Sequence, residues 1–185
     1  MWRRIRINNI DRKSQADRIL YEFGLLKKLE ELGAPHIIGS YRVDMMAWND
    51  LDIDIENADM SLDKLYELSS FILNTFHPSW YEAKEEINEE GKMVWFHGFE
   101  TIITGELWNI DLWFFDKETI ANAEKYCDDI AQRTSEIQKD RIVKIKEELI
   151  ARDLYSFEKY KSLDVYKAVL ENDVEDVEEF LQLFN

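Results

Sequence analysis

The chain reads as an α+β protein, in which a mixed, largely antiparallel sheet of about five strands is flanked by helices and followed by a C-terminal helical tail. Three observations predict this. Up to residue 116 the apolar periodicity switches between helix and strand in the order helix, strand, strand, helix, three strands. Beyond Asp116 every segment has helical spacing. With 45% apolar residues and only six Gly and two Pro in 185 positions, neither part has the composition of a linker. The composition shift near residue 117 divides the chain into a core, 1–116, and a helical region, 117–185.

In the expected first helix, residues 14–32, Ala16, Ile19, Leu20, Phe23, Leu26 and Leu29 recur at helical spacing, Ser14 with Asp17 resembles a capping box, and Gly33 supplies a stop. Pro35-His36-Ile37-Ile38 is a short apolar run that suits a buried strand and leads into Gly39-Ser40. Leu51-Asp52-Ile53-Asp54-Ile55 alternates with a period of two, which predicts a strand with one acidic and one apolar face. Ser61 is placed to cap a helix whose Leu62, Leu65, Tyr66, Ile72, Leu73 and Phe76 form a stripe. Strand character returns over 80–87, 92–103 and 107–115, with turns at Asn88-Glu89-Glu90-Gly91 and Thr104-Gly105-Glu106. Ile120, Ala123, Cys127 and Ile130 mark one tail helix, and Ile137, Ile142, Ile145 and Leu149 the next. Two shorter helices close the chain, near 163–170 and 174–183.

Composition also excludes function classes. The net charge of −16 leaves no basic stripe with which to displace counterions from nucleic acid, so no nucleic-acid partner is expected. No run of 18 apolar residues is present, so no membrane partner is expected either. Met1-Trp2-Arg3-Arg4 is basic but has no apolar run behind it, and Cys127 is the single cysteine. Both point to a reducing, cytoplasmic setting.

The chemistry concentrates between residues 36 and 55. Residues two apart on a strand share a side, so Asp52 and Asp54 present their carboxylates together. Two such anions repel, and magnesium satisfies a few carboxylates along with substrate phosphate oxygens. Asp50 adds a further acid, which leaves Asp50/Asp52 as an alternative pair. Asp52/Asp54 is preferred because Leu51, Ile53 and Ile55 bracket it. Gly39 lacks the Cβ that would keep a phosphate away, Ser40 adds a hydroxyl, and Arg42 stands close enough in sequence to meet a phosphate. Downstream, Asp111 sits on a strand apolar on both faces, where a lone carboxylate is costly without a partner.

Taken together, Gly39-Ser40, then Asp52-Ile53-Asp54, then Asp111 on a later strand resemble the signature of the nucleotidyltransferase superfamily with the polymerase-beta-type fold. The style is most similar to small bacterial lincosamide and aminoglycoside nucleotidyltransferases. The likeness covers roughly residues 15–116. It departs where Tyr41-Arg42-Val43-Asp44 replace the small residue, Arg and Gly that many members carry after Gly-Ser.

The resemblance implies that Asp52, Asp54 and Asp111 are catalytic and hold magnesium, two ions during turnover. It implies that Gly39 and Ser40 grip the β- and γ-phosphates of a nucleoside triphosphate, ATP being the expected donor. Asp111 would take the second metal or the proton of the acceptor hydroxyl. The expected acceptor is a small polar molecule, cationic to suit the acidic chain. A non-catalytic nucleotide-binding or antitoxin-like module on the same fold is the alternative, and a manganese-dependent glycosyltransferase is disfavoured because Gly39-Ser40 would then have no purpose. His36, His77 and His97 lack metal-ligand spacing, and Cys127 reads as core. Trp95, Trp108 and Trp113 read first as core, with stacking on a base or acceptor ring as the alternative, and Lys139, Arg141, Lys144 and Lys146 first as a solvated helix face, with contact to the triphosphate as the alternative.

Overall fold

A computed structural model describes residues 9–57, 59–88, 91–156 and 159–184. Five strands form one sheet: β1 (Ala34–Ile37), β2 (Asp50–Glu56), β3 (Trp80–Ile87), β4 (Met93–Ile103) and β5 (Glu106–Phe115). Their spatial order is β1-β2-β5-β4-β3. β2 and β5 run parallel, and the other neighbouring pairs are antiparallel. The mixed, largely antiparallel sheet expected from the sequence is therefore present. The turn expected at 88–91 joins β3 to β4, with residues 89 and 90 outside the described set.

The alternation of β2 sets the two sides of this sheet. Leu51, Ile53 and Ile55 are fully buried and join Ile110, Leu112, Phe114 and Phe99 in the main core. That core is covered by α1 (Asn9–Asp17), α2 (Leu25–Glu30) and α4 (Leu62–Phe76), which contribute Ala16, Leu29, Leu68 and Ile72, while the single turn α3 (Gly39–Arg42) follows β1. Burial on this scale, at roughly 25 cal/mol per Å² of apolar surface, holds the sheet against its helices. The opposite side carries Asp50, Asp52 and Asp54 of β2 and Asn109, Asp111 and Trp113 of β5.

The first helix differs from expectation. It is already formed at Asn9, widens into a π-helical stretch over Arg18–Glu22, and breaks at Gly24 before restarting as α2. The extra residue in a π turn rotates the facing of the residues after it. Ile19, Leu20 and Leu29 stay buried all the same, while Phe23 and Leu26 pack at the rim. Ser61 caps its helix as expected, accepting from the Lys64 amide, and Asp116 likewise caps the next helical segment by accepting from the Thr119 amide.

The helical region comprises α5 (Lys117–Arg133), α6 (Glu136–Ala151), α7 (Ser162–Asn172) and α8 (Val177–Leu183). Its core includes Cys127, Ile142, Ile145, Leu149 and Phe180, together with Val43 and Met45 from the segment behind β1. Ile137 departs from its expected stripe and is exposed, because it lies in the first turn of α6. α5 packs against β2, which brings the helical region to the acidic side of the sheet. Among the described residues no helix is long and apolar enough to cross a membrane.

Candidate active site

Parallel pairing of β2 with β5 sets Asp52 beside Asp111, Asp50 beside Asn109 and Asp54 beside Trp113. Carboxylate oxygens of Asp50, Asp52 and Asp111 all lie within 4.8 Å of one another. The structure thus brings two of the sequence-expected acids, Asp52 and Asp111, into one cluster, and the third member is Asp50. Asp54 lies outside that group. At about 3.3 Å of rise per residue, Asp50 and Asp54 are about 13 Å apart along β2, so no single ion contacts both. Asn109 decides which end joins, because its side-chain amide donates to Asp50 Oδ1 at 2.9 Å and to Asp111 Oδ2 at 3.2 Å.

The cluster is electrostatically loaded. Burial first, then the Asp111 charge, push Asp52 up to about 6. Burial and then repulsion from Asp52 push Asp50 well above the usual carboxylate range. Burial raises Asp111 as well, against the pull of its bond from Asn109. Asp54 is pushed up to about 7 by burial, Asp52 and Glu124, and it pairs in register with His36 of β1. Three carboxylates that would rather be neutral make a site that a divalent cation satisfies.

Gly39 sits directly against Asp52, with Ser40 next to it in the chain. Gly39 has φ +63°, and a Cβ built there would collide with the carboxylate of Asp52. The backbone hydrogen bond from Ile38 N to Asp52 O, at 3.1 Å, pins this approach. Ser40 is buried, and its Oγ has no hydrogen-bond partner among the described residues. A buried hydroxyl without a partner costs about 1–3 kcal/mol, which a ligand oxygen would recover. Gly39→Ala is expected to displace the Asp52 side chain and to weaken Mg2+-dependent triphosphate binding at least about tenfold, since both the left-handed backbone and the contact oppose a methyl group. Isothermal titration with a non-hydrolysable triphosphate checks this, with unchanged affinity as the contrary result.

Arg42, expected at the phosphates, is not brought to the acids. Its guanidinium pairs with Glu124 at 2.8 Å and Asp128 at 2.9 Å on α5, and it lines a surface cavity of about 450 Å³ together with Lys13, His36, Tyr41 and Glu124. None of Asp50, Asp52 or Asp111 lines that cavity. The four basic residues of α6 do not form a solvated face either. Lys139 pairs with Glu136, Arg141 pairs with Asp173 and Glu175, and Lys144 is exposed. Lys146 is fully buried. Its Nζ donates to Met45 O at 3.3 Å and lies over the rings of Tyr155 and Tyr166. Burial lowers it to about 8, with Asp50 and Asp52 holding it up against that trend.

The sequence did not single out Asn109, and it offered Lys146 only as one of four α6 bases that could touch the triphosphate. Asn109 was detectable, standing two positions before Asp111 on the same side of a strand. Lys146 lies at helical spacing from Ile142, Val143, Leu149 and Ile150, which puts a charge on an apolar face, but its partner Met45, 101 residues away, is set by tertiary structure alone.

No family model and no curated protein matches the chain. Solved structures do match. A cytoplasmic RNA terminal U-transferase aligns with a TM-score of 0.59 at 14% identity, over 88% of this chain and 49% of its own. The Cid1 poly(U) polymerase, solved with magnesium and 3'-dATP, aligns at 0.61 and 13% identity over 89% and 50%. The non-canonical poly(A) polymerase GLD-2, in complex with GLD-3, aligns at 0.55 and 14% identity over 87% and 51%. The chain spans about half the length of these structures. They are RNA-tailing polymerases rather than the small-molecule transferases that the sequence resembles in style. The likeness is one of fold: this chain shares the architecture of part of these structures, and it carries an acidic cluster on the side of its sheet opposite the main core.

Proposed function

We propose that the chain is a metal-dependent nucleotidyltransferase that moves a nucleoside monophosphate from a triphosphate, ATP being the expected donor, to a hydroxyl of a small polar acceptor. The observation that carries this is the convergence of Asp50, Asp52 and Asp111 within 4.8 Å, on a fold shared with nucleotide-polymerising enzymes. The buried Ser40 hydroxyl, partnerless among the described residues and next in the chain to the Gly39 that touches Asp52, fits a phosphate oxygen. The catalytic set is accordingly Asp50, Asp52 and Asp111, with Asp54 as a buried neighbour.

Asp50, Asp52 and Asp111 would hold Mg2+, two ions by the resemblance, and bound metal supplies charge neutralisation on the triphosphate and the departing pyrophosphate. Ser40 donates its hydroxyl hydrogen to a phosphate oxygen, and the Gly39 backbone leaves room for that oxygen. Lys146 adds a positive charge behind Asp50 and Asp52. Asp111, whose carboxyl burial holds above the ordinary carboxylate range, takes the proton as the acceptor oxygen forms its bond to the α-phosphorus. The bond to the β-phosphate oxygen breaks, and pyrophosphate leaves.

Charge supports a small acceptor. The chain has a net charge of −16, and Arg42, Lys139 and Arg141 are each held by carboxylates. An RNA acceptor, favoured by what the structural neighbours act on, needs a basic track to neutralise its phosphates. Pyrophosphate release is the test, with Mg2+, each of four triphosphates, and acceptors that include aminated polyols and an oligonucleotide. Release is expected with ATP and a small acceptor. Metal-dependent triphosphate binding without release under any condition would establish the non-catalytic module instead, and release only with the oligonucleotide would establish RNA tailing.

A further inference from the structure

The two edges of the sheet are finished differently. β1 is four residues long and carries Pro35, which has no amide hydrogen to offer. An edge that short, with a proline in it, resists a further strand. β3 is eight residues long and ends the sheet on the other side, and among the described residues no strand pairs with its outer edge. The hydrogen bond from Asn88 N to Lys92 O, at 2.9 Å, fixes which β3 residues face outward. It continues the β3–β4 register, so Glu86, Lys84 and Glu82 turn their amides and carbonyls to β4. Tyr81, Ala83, Glu85 and Ile87 turn theirs away from the sheet.

An apolar helix flank runs along that open edge. Tyr81 Oη donates to Ser69 Oγ at 2.5 Å, which turns the Ser69 flank of α4 toward β3. Residues 62, 66, 69 and 73 share one flank of a helix, being spaced by four, three and four. Leu62, Tyr66 and Leu73 therefore lie on the β3 side of α4, and they are 59%, 65% and 46% exposed. The opposite flank is already in use, with Glu67 paired to Lys28 of α2. At the far end of β3, on the same side of the sheet as Tyr81, Ile87 is 67% exposed. An unpaired strand edge and an apolar helix flank thus share one border of the molecule, and both are features that proteins ordinarily cover.

The charges on β3 select what covers it. Within the chain Lys84 pairs with Glu86 at 3.1 Å and with Glu82 at 3.6 Å, so the edge carries both signs. Three symmetric antiparallel registers near the middle of β3 set outward residues opposite outward residues. Centring on Lys84 brings like charges together throughout, and centring on Glu85 sets that carboxylate against its own copy. Centring on Ala83 places Lys84 opposite the partner's Glu82, twice by symmetry, and gives the axis the smallest side chain. We infer that β3 and the adjoining flank of α4 form a two-fold interface with a second copy of this chain, β3 pairing antiparallel with the partner's β3 about Ala83. A strand from another protein would use the same backbone groups, and the match of Lys84 with Glu82 is what favours a second copy. The contact consumes the open edge of both copies and leaves only the blunted β1 edges, so assembly stops at two. It goes beyond nucleotidyl transfer and does not depend on it, since the acidic cluster lies on β2 and β5.

The test is sedimentation velocity of the full chain from about 1 μM to about 1 mM, where a reversible species of twice the chain mass is expected. Lys84→Glu and Tyr66→Glu, made separately, should each weaken the dimer at least about tenfold. Glu82→Lys combined with Lys84→Glu in one chain restores opposite charges across the axis, and should return the dimer to within about threefold of the parent. The same double variant sets like charges together in the register centred on Glu85, so its rescue identifies Ala83 as the axis. Tyr66 is exposed, so Tyr66→Glu stays readable if Lys84→Glu disturbs the packing of Lys84 over the Phe96 ring. A chain that is monomeric at every concentration, a dimer that either single variant leaves unmoved, or a double variant that fails to recover overturns the inference.

Discussion

Asp52→Asn is expected to lower nucleotide transfer by at least about 10³-fold while raising the melting temperature of the metal-free protein. The first effect comes from removing the central anionic ligand of the Asp50–Asp52–Asp111 cluster, around which charge stabilisation in the transition state is built. The second comes from the raised proton affinity of Asp52, pushed to about 6 by burial and Asp111. A carboxyl that titrates higher in the folded than in the unfolded chain binds more protons when folded, so its contribution to stability falls as pH rises from about 4 to about 6. Above that window the folded protein carries the full penalty, on the order of 1–3 kcal/mol for a shift of this size. Asparagine has no such penalty. Mg2+ should raise the melting temperature of the parent protein and leave that of Asp52→Asn unmoved.

Asp50→Asn should behave in the same way. Asp54→Asn separates stability from chemistry. Its carboxyl is pushed to about 7, so the substitution should also stabilise the metal-free protein at pH 8, yet transfer should fall less than about tenfold because Asp54 lies outside the cluster. Thermal melts with and without Mg2+, paired with turnover, decide the matter. Near-normal turnover in Asp52→Asn, or equal damage from Asp54→Asn, would refute the assignment of ligands. Bound metal requires ionised carboxylates, so the apparent Mg2+ affinity of the parent should weaken as pH falls through about 6.

Lys146→Met should tighten divalent-cation binding several-fold and at the same time weaken triphosphate binding and cut transfer about 10²-fold. The side chain is fully buried behind Asp50 and Asp52, with its ammonium held by Met45 O and the Tyr155 and Tyr166 rings. Its charge therefore offsets part of the field that attracts a metal and adds to the field that attracts a phosphate. Methionine has a similar volume and an unbranched chain, so packing is largely kept. Opposite signs for metal and triphosphate are the signature of a charge role. A purely structural lysine would move both in one direction, and that result would remove Lys146 from the site. Manganese titration by relaxation enhancement, alongside calorimetry with a non-hydrolysable triphosphate, reads the two signs independently.

Much of this molecule is legible from local pattern. The alternation of residues 51–55 and the stripe of α5 each report burial on one side of an element, and burial repeats with the element's own period. The run at 35–38 is only half-buried, because β1 lies at the edge of the sheet, and of the expected α4 stripe Leu65, Ile72 and Phe76 are buried while Leu62, Tyr66 and Leu73 are exposed. The π-helical widening at Arg18–Glu22 was not legible, because an inserted residue leaves the apolar stripe readable while changing its geometry. The partners of Arg42 were not legible for a similar reason. Nearness in sequence to Gly39 says nothing of Glu124 and Asp128, which reach it from α5, more than 80 residues on.

By itself the order of residues determined the α+β class, the acidic side of β2, the glycine-serine bend and the presence of a third acid on β5. These are properties of single segments, set by periodicity and by what one backbone conformation permits. Which two of the β2 acids meet Asp111 was decided only by tertiary structure. Asp50, Asp52 and Asp54 share one face equally, and the choice among them comes from the register of β2 against β5 and from the Asn109 amide that ties Asp50 to Asp111. Strand register is a contact between segments far apart in the chain, and no local pattern encodes it.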